Sequence, residues 1–252
     1  MLRRLLNRFL NPFGLDLIRH PDQVIPMPLP DDAQYARPQD HYRLFRPWLG
    51  DSVKRWFTPA IRGSTMLSPQ KLYTLLQCVR LTRAVPGDFF EAGTGSGGAA
   101  RLMLDVAGEL GLARRGWFLD TFEGYQKVDA QRDGSHVALN QCRLAPRDQV
   151  AELLRDKSAE VHIVAGLIPA TLAEVKTDRI AFAHIDVNLY EPTLAATEFC
   201  LERLSVGGVI VFDDYNWPAC YAARQAIDAA CRQFGQEVIS LPESTQALLF
   251  KR

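Results

Sequence analysis

Three aspartates at the ends of two apolar runs are the residues of this chain best placed to do chemistry. The run Arg179-Ile180-Ala181-Phe182-Ala183-His184-Ile185-Asp186-Val187-Asn188 reads as a strand whose alternation puts His184, Asp186 and Asn188 on one face. A second run, Val209-Ile210-Val211-Phe212-Asp213-Asp214-Tyr215, ends in two more carboxylates. Three acids brought to one rim repel each other unless a cation lies among them, and an all-oxygen set suits a hard ion such as Mg²⁺. Neighbouring strand residues face opposite ways, so Asp213 and Asp214 can share an ion only if the strand stops between them. The alternative is that one of the two serves as a turn or capping side chain ahead of Asn216-Trp217-Pro218.

The second constellation is Phe89-Phe90-Glu91-Ala92-Gly93-Thr94-Gly95-Ser96-Gly97-Gly98-Ala99-Ala100-Arg101-Leu102, a strand, a glycine turn and a helix start. Glycines let the backbone approach a ligand, and the helix start offers unpaired N–H groups. Gly93, Gly95 and Gly98 satisfy GxGxxG, which a dinucleotide site would also show. Glu91, two residues before the first glycine, favours a ligand with a cationic portion, such as the amino group and sulfonium of S-adenosylmethionine, over a pyrophosphate. Asp120, at the end of the next apolar run, is placed to accept from ribose hydroxyls and fits either ligand. A glycine turn that serves packing alone is the third reading.

The elements that must position these residues follow from periodicity. Apolar strands are expected at Asp88–Ala92, Gly116–Leu119, Val161–Val164, Ile180–Val187 and Gly208–Phe212, with helices near 98–110, 146–157, 169–176, 191–204 and 219–234. Ser68-Pro69 opens a further helix through about Arg83, as an N-cap followed by proline at the first helical position. Such alternation predicts an α/β fold, a parallel sheet covered by helices on both faces. Glu237–Ser240 and Ala247–Lys251 add a terminal antiparallel hairpin, making a mostly parallel seven-stranded sheet.

Residues 1–63 read differently from 64–252. Eight of the fifteen prolines but only two of the seventeen glycines fall in the first 60 residues, so this part reads as an arm. Leu2, Leu5, Leu6, Phe9 and Leu10 predict a short amphipathic helix over 2–10, suited to packing on its own body or on a second subunit in a homo-oligomer, or else to a membrane surface. With 252 residues, 47% hydrophobic and 23% charged, the chain is neither disordered nor fibrous. Lys+Arg and Asp+Glu balance at 29 each, which gives no pull toward nucleic acid. No apolar run is long enough to cross a bilayer and no secretory signal opens the chain, so a cytoplasmic location is expected. Five widely spaced cysteines without a CxxC pair exclude a zinc site or disulfide framework and read mostly as small buried apolar residues.

From about Thr65 to Phe234 the chain resembles the macrocin O-methyltransferase family of metal-dependent sugar O-methyltransferases. The resemblance is carried by Thr65-Met66-Leu67-Ser68, Pro86 to Gly93, Asp120-Thr121-Phe122-Glu123-Gly124, His184-Ile185-Asp186-Val187-Asn188-Leu189-Tyr190-Glu191-Pro192-Thr193-Leu194 and Gly207 to Tyr215. It implies a Rossmann-like class I methyltransferase in which Asp186, Asp213 and Asp214 hold Mg²⁺. Glu91, Gly93, Gly95, Gly97 and Asp120 would hold S-adenosylmethionine, with Met66 near its methionine end. The implied reaction is an in-line attack of a small-molecule hydroxyl on the sulfonium methyl, the acceptor being a sugar or glycosylated natural product.

One departure bears on mechanism. Where the family carries a second aspartate as its proposed base, this chain has Asn188, whose amide cannot accept the proton. Water or another group such as His184 would then collect it, unless His184 is a hydrogen-bonded core histidine. The other readings left open are a donor-binding protein without turnover and an NAD-linked enzyme. Residues 121–145 are expected to form either a mobile lid over the acceptor or an ordinary surface excursion.

Overall fold

The five apolar runs form five parallel strands: β1 Asp88–Ala92, β2 Gly116–Asp120, β3 Val161–Ala165, β4 Ile180–Ile185 and β5 Leu204–Phe212. The closing strands β6 (Ile239–Leu241) and β7 (Gln246–Phe250) are antiparallel, and β7 inserts between β5 and β6, giving the order β3-β2-β1-β4-β5-β7-β6. The computed structural model describes Trp48, residues 51–157 and residues 159–252. The helix expected at 2–10 and the proline-rich stretch through residue 47 lie outside the described residues.

Helices α1 (Asp51–Lys54), α2 (Pro59–Arg62), α3 (Pro69–Leu81), α4 (Gly98–Glu109), α5 (Arg147–Leu154), α6 (Tyr190–Arg203) and α7 (Tyr221–Gln233) complete the described elements, together with short 3₁₀ turns. The Ser68 hydroxyl caps α3 by accepting from the Lys71 amide at 3.3 Å, with Pro69 at the first helical position. Every residue of β1 and β4 is buried, as expected of a central strand covered on both faces. Alternate residues feed two cores. Phe89, Phe118 and Phe182 pack with Leu75, Leu76, Leu102 and Met103 of α3 and α4, whereas Phe90, Leu119 and Phe212 pack with Phe199, Cys200 and Ile227 of α6 and α7. Val53, Trp56, Phe57 and Ile61 join the first of these cores, so the stretch just before residue 64 belongs to the folded body.

Two expected elements differ. The segment 169–176 is a 3₁₀ turn over Ala170–Glu174 in place of an α-helix. Strand β4 stops at Ile185, two residues short of Val187, where its neighbours β1 and β5 also end: the Asp186 amide makes the last ladder bond to the Ala92 carbonyl at 2.8 Å, and the chain then turns, Leu189 N donating to Val187 O at 2.7 Å. Of the three residues placed on one strand face, only His184 lies within the strand. Among the described residues no helix is long and apolar enough to cross a membrane.

The turn after β1 requires glycine. Gly93 has φ +87°, and a Cβ there would stand 1.9 Å from the Asp186 carbonyl oxygen, closer than any contact a side chain tolerates. Gly93→Ala is therefore expected to cost about 3 kcal/mol or more of folding stability, read from urea denaturation.

Beside it, Glu91 and His184 are register partners across β1 and β4, with Glu91 Oε1 2.8 Å from His184 Nδ1 and both side chains sealed from solvent. Burial opposes a charge on His184, but the hydrogen bond and charge of Glu91, with Asp186 and Asp213 beyond, more than offset it and raise the imidazole's pKa. A group whose folded pKa is raised stabilises fully below its unfolded value, about 6.5 for histidine, and loses that contribution as pH climbs through the folded value. Replacing His184 by Leu would strand a buried carboxylate, and the expected cost is about 3 kcal/mol near pH 6. The parent's stability in urea melts should fall as the pH is raised from about 6.5 through the higher folded value of His184; no fall over that window would deny the imidazole a charge.

Candidate active site at the β1/β4 switch point

Strand order reverses between β1 and β4, which opens a crevice at their carboxyl ends, the place where open α/β sheets bind ligands. The glycine turn leaves β1 on one side of this crevice and Asp186 leaves β4 on the other. Strand β5 ends at Phe212, so Asp213 and Asp214 both lie past its last residue, and Asp214 takes a left-handed backbone at φ +51°. The condition for two adjacent acids to share an ion is met. Asp186, Asp213 and Asp214 each offer an oxygen within 4.8 Å of the others.

Neither member of the Asp213-Asp214 pair is spent on capping a turn. Asp213 Oδ1 accepts from Gln246 Nε2 at 3.0 Å, and its Oδ2 accepts from Lys71 Nζ at 2.6 Å. Asp214 Oδ1 accepts from Lys71 Nζ at 2.5 Å and from the Thr245 hydroxyl at 3.3 Å. Burial raises the carboxyl pKa of Asp186 well above its ordinary value, and the charge of Asp213 adds to it. Asp213 is raised too, chiefly by burial. Burial opposes the Lys71 ammonium, but the two aspartates outweigh it and hold the lysine charged. Hard oxygen donors gathered at this spacing fit a divalent cation such as Mg²⁺.

The other wall is the glycine turn. Gly93 N and Thr94 N both point at the Leu119 carbonyl at the end of β2, and Gly98 N donates to Ser64 O at 2.7 Å as α4 begins. Asp120 clasps the turn: its Oδ2 accepts from Gly95 N and its Oδ1 from Phe122 N, each at 2.7 Å. Gly97, at φ +85°, is the N-cap of α4. Glu91 lies beneath, fully buried, its Oε2 without a hydrogen-bond partner, as is His184 Nε2. Met66 stands at the surface, 81% exposed, two residues before the α3 cap.

Asn188 occupies a left-handed position at φ +61°. Its Nδ2 donates to the Tyr125 phenol at 3.0 Å, and its Oδ1 accepts weakly from the Cys220 thiol at 3.5 Å. The Tyr125 oxygen also accepts from the exposed Cys142 thiol at 3.2 Å. Burial and nearby Asp214 push the Cys220 thiol up to about 12, so it stays neutral near pH 7. Cys78, Cys200 and Cys231 are buried as expected, and Cys142 and Cys220 depart from that reading. Residues 121–145 run as an irregular strap fastened at several points: Tyr125 and the 140–141 segment exchange backbone hydrogen bonds, and buried Asp133 accepts from the Tyr190 amide at 2.9 Å, at the start of α6.

The structure thus brings Glu91, Gly93, Gly95, Gly97, Asp120, His184, Asp186, Asn188, Asp213 and Asp214 to one rim. Sequence reasoning missed Lys71, Gln246 and Tyr125. Tyr125 directly follows the Gly124 turn and had that signal; Lys71 and Gln246 carried none, being a surface-type lysine on a helix and a polar residue opening a strand.

With this geometry in hand, known proteins supply the comparison. The family model for macrocin-O-methyltransferase (TylF) matches residues 48–238. Over 173 residues the chain is 36% identical to 8-demethyl-8-(2,3-dimethoxy-alpha-L-rhamnosyl)-tetracenomycin-C 4'-O-methyltransferase of Streptomyces olivaceus, covering 62% of this chain and 64% of that protein. It is 28% identical over 178 residues to demethyldecarbamoylnovobiocin O-methyltransferase of Streptomyces niveus, covering 65% of this chain and 66% of that one. The chain therefore spans just under two thirds of the length of these relatives. Among solved structures, the O-methyltransferase NovP superposes with a TM-score of 0.65 at 25% identity, covering 75% of this chain and 82% of that one. This chain belongs to the macrocin-O-methyltransferase (TylF) family.

Proposed function

We propose that this protein transfers a methyl group from S-adenosylmethionine to a hydroxyl of a sugar-bearing small molecule, with a divalent cation of the Mg²⁺ kind. The observation that carries the reading is the contact between the two half-sites: the glycine turn that would cradle the donor lies directly on the backbone of Asp186, one of the three candidate cation ligands. A relative named for 4'-O-methylation of a rhamnosyl-tetracenomycin supports a sugar hydroxyl as acceptor. When bound, the donor supplies an electrophilic methyl group and the cation supplies Lewis acidity that lowers a hydroxyl's pKa.

The chain's own residues do the positioning. The 93–97 turn and Asp120 hold the nucleoside end of the donor, and the unpartnered Glu91 Oε2 gives a buried negative charge beneath its cationic end. His184 acts as a positioning residue, fixing the Glu91 carboxylate through Nδ1. Asp186, Asp213 and Asp214 hold the cation. A cavity of about 300 Å³ opens beside Asp214 between Ser68, Trp217 and Glu243, and its half-exposed indole and hydroxyl-bearing wall suit a sugar ring. Asn188 is committed to Tyr125 and Cys220, and its amide takes no proton. The acceptor's proton leaves to solvent through this open cavity.

A second reading, a donor-binding protein without turnover, draws on that same Asn188. The deciding experiment incubates the protein with S-adenosylmethionine, Mg²⁺ and a panel of glycosides and phenols, and follows S-adenosylhomocysteine. Turnover that a chelator abolishes is expected. Calorimetric donor binding with no product on any acceptor would favour the second reading.

Asp213→Asn should lower kcat by roughly 10²-fold while changing donor affinity by less than about threefold, separating cation chemistry from donor binding. Asn188→Asp should keep or raise turnover, since it restores a group able to take the proton. A large loss would show that the amide's hydrogen bonds to Tyr125 and Cys220 are themselves required.

A further inference from the structure

Lys71 stands where one cation–ligand bond would form. Gln246, itself wholly buried, holds Asp213 Oδ1, so Oδ2 is the oxygen that carboxylate has left for the cluster. The Lys71 ammonium already sits 2.6 Å from Oδ2 and 2.5 Å from Asp214 Oδ1, with its side chain 15% exposed. A divalent ion bonded to Oδ2 at about 2.1 Å would lie within about 4.7 Å of the ammonium, at whatever angle it approached, and the two positive centres would repel at close quarters. Lysine has room to move. It lines the same cavity beside Asp214, and exposed Glu243 offers a second carboxylate across that space. Its four-carbon stem makes the ammonium a movable point charge, unlike a rigid guanidinium fork.

We propose that Lys71 is a resident counter-ion that the divalent cation displaces: ammonium and cation compete for Asp213 Oδ2, and cation binding turns the Lys71 side chain out into the cavity. Without the cation, the ammonium keeps Asp213 and Asp214 from driving each other apart. The proposal rests on reading Asp186, Asp213 and Asp214 as cation ligands. It adds that loading the site exchanges one cation for another, with affinity set by the difference between them.

Two measurements test it, neither requiring turnover. Mn²⁺ titrations of the full chain, followed by electron paramagnetic resonance of the free ion, should show at least tenfold tighter binding in Lys71→Met than in the parent. Unchanged or weaker binding in Lys71→Met would mean that lysine does not compete with the cation, overturning the proposal. The second measurement uses the unmodified protein, so it stands even if the variant folds poorly. Acetic anhydride labelling of Lys71, read by peptide mass spectrometry, should rise severalfold when Mg²⁺ is added. Labelling that is unchanged or reduced would overturn the displacement. If parent and variant alike bind no Mn²⁺, the cation reading itself fails and takes this inference with it. If the parent binds and only the competition is missing, the cation reading stands.

Discussion

A single backbone crossing organises the site: the chain leaving β4 runs so close over the turn leaving β1 that only a hydrogen atom fits at Gly93 beneath the carbonyl of Asp186. The crossing follows the end of β4 at Ile185, sends Asp186 over the rim and aligns it with Asp213, whose amide donates to the Ile185 carbonyl at 2.9 Å. The two halves of the proposed chemistry therefore meet in a direct backbone contact. Displacing the donor cradle would displace the first carboxylate with it, and proximity of this kind is what an in-line transfer between two bound reactants needs.

Burial then sets the electrostatics. Glu91, His184, Asp186 and Asp213 sit within a few residues of the sheet's carboxyl edge, and each acid there is costly to ionise without a partner. The structure supplies partners from two directions. His184 pairs with Glu91 beneath the glycine turn. Lys71 pairs with Asp213 and Asp214. On the proposed reading, a ligand or cation bound beside these acids would favour their charged forms, linking occupancy to ionisation.

What the sequence made legible follows the range over which each interaction acts. The glycine turn was readable because strand, turn and helix are contiguous and the backbone demands glycine where it bends. The Asp213-Asp214 pair was readable because an apolar strand ends immediately before it. The end of β4 was misplaced because Ile185-Asp186-Val187 continues the two-residue alternation, and what limits the strand is where its neighbours β1 and β5 end, far away in the chain. The same holds for the 3₁₀ turn at Ala170–Glu174, whose composition permits a helix that the tertiary setting does not. Lys71 reaches Asp213 from 142 residues away and Tyr125 reaches Asn188 from 63, separations at which no local pattern survives. Ser68, by contrast, caps α3 as its neighbours dictate.

The antiparallel insertion of β7 carries a less obvious consequence. Ala247 pairs with Phe212, and this alignment is what delivers the Gln246 carboxamide to Asp213. Sliding the hairpin by one residue would turn Gln246 to the opposite side of the sheet and exchange Ala247 and Leu249 with Leu248 and Phe250 between the two cores. Asp213 would then lose its Gln246 partner and keep only Lys71 to hold its side chain. The alignment of the closing hairpin thus anchors an acid of the opposite strand end as well as the edge of the sheet.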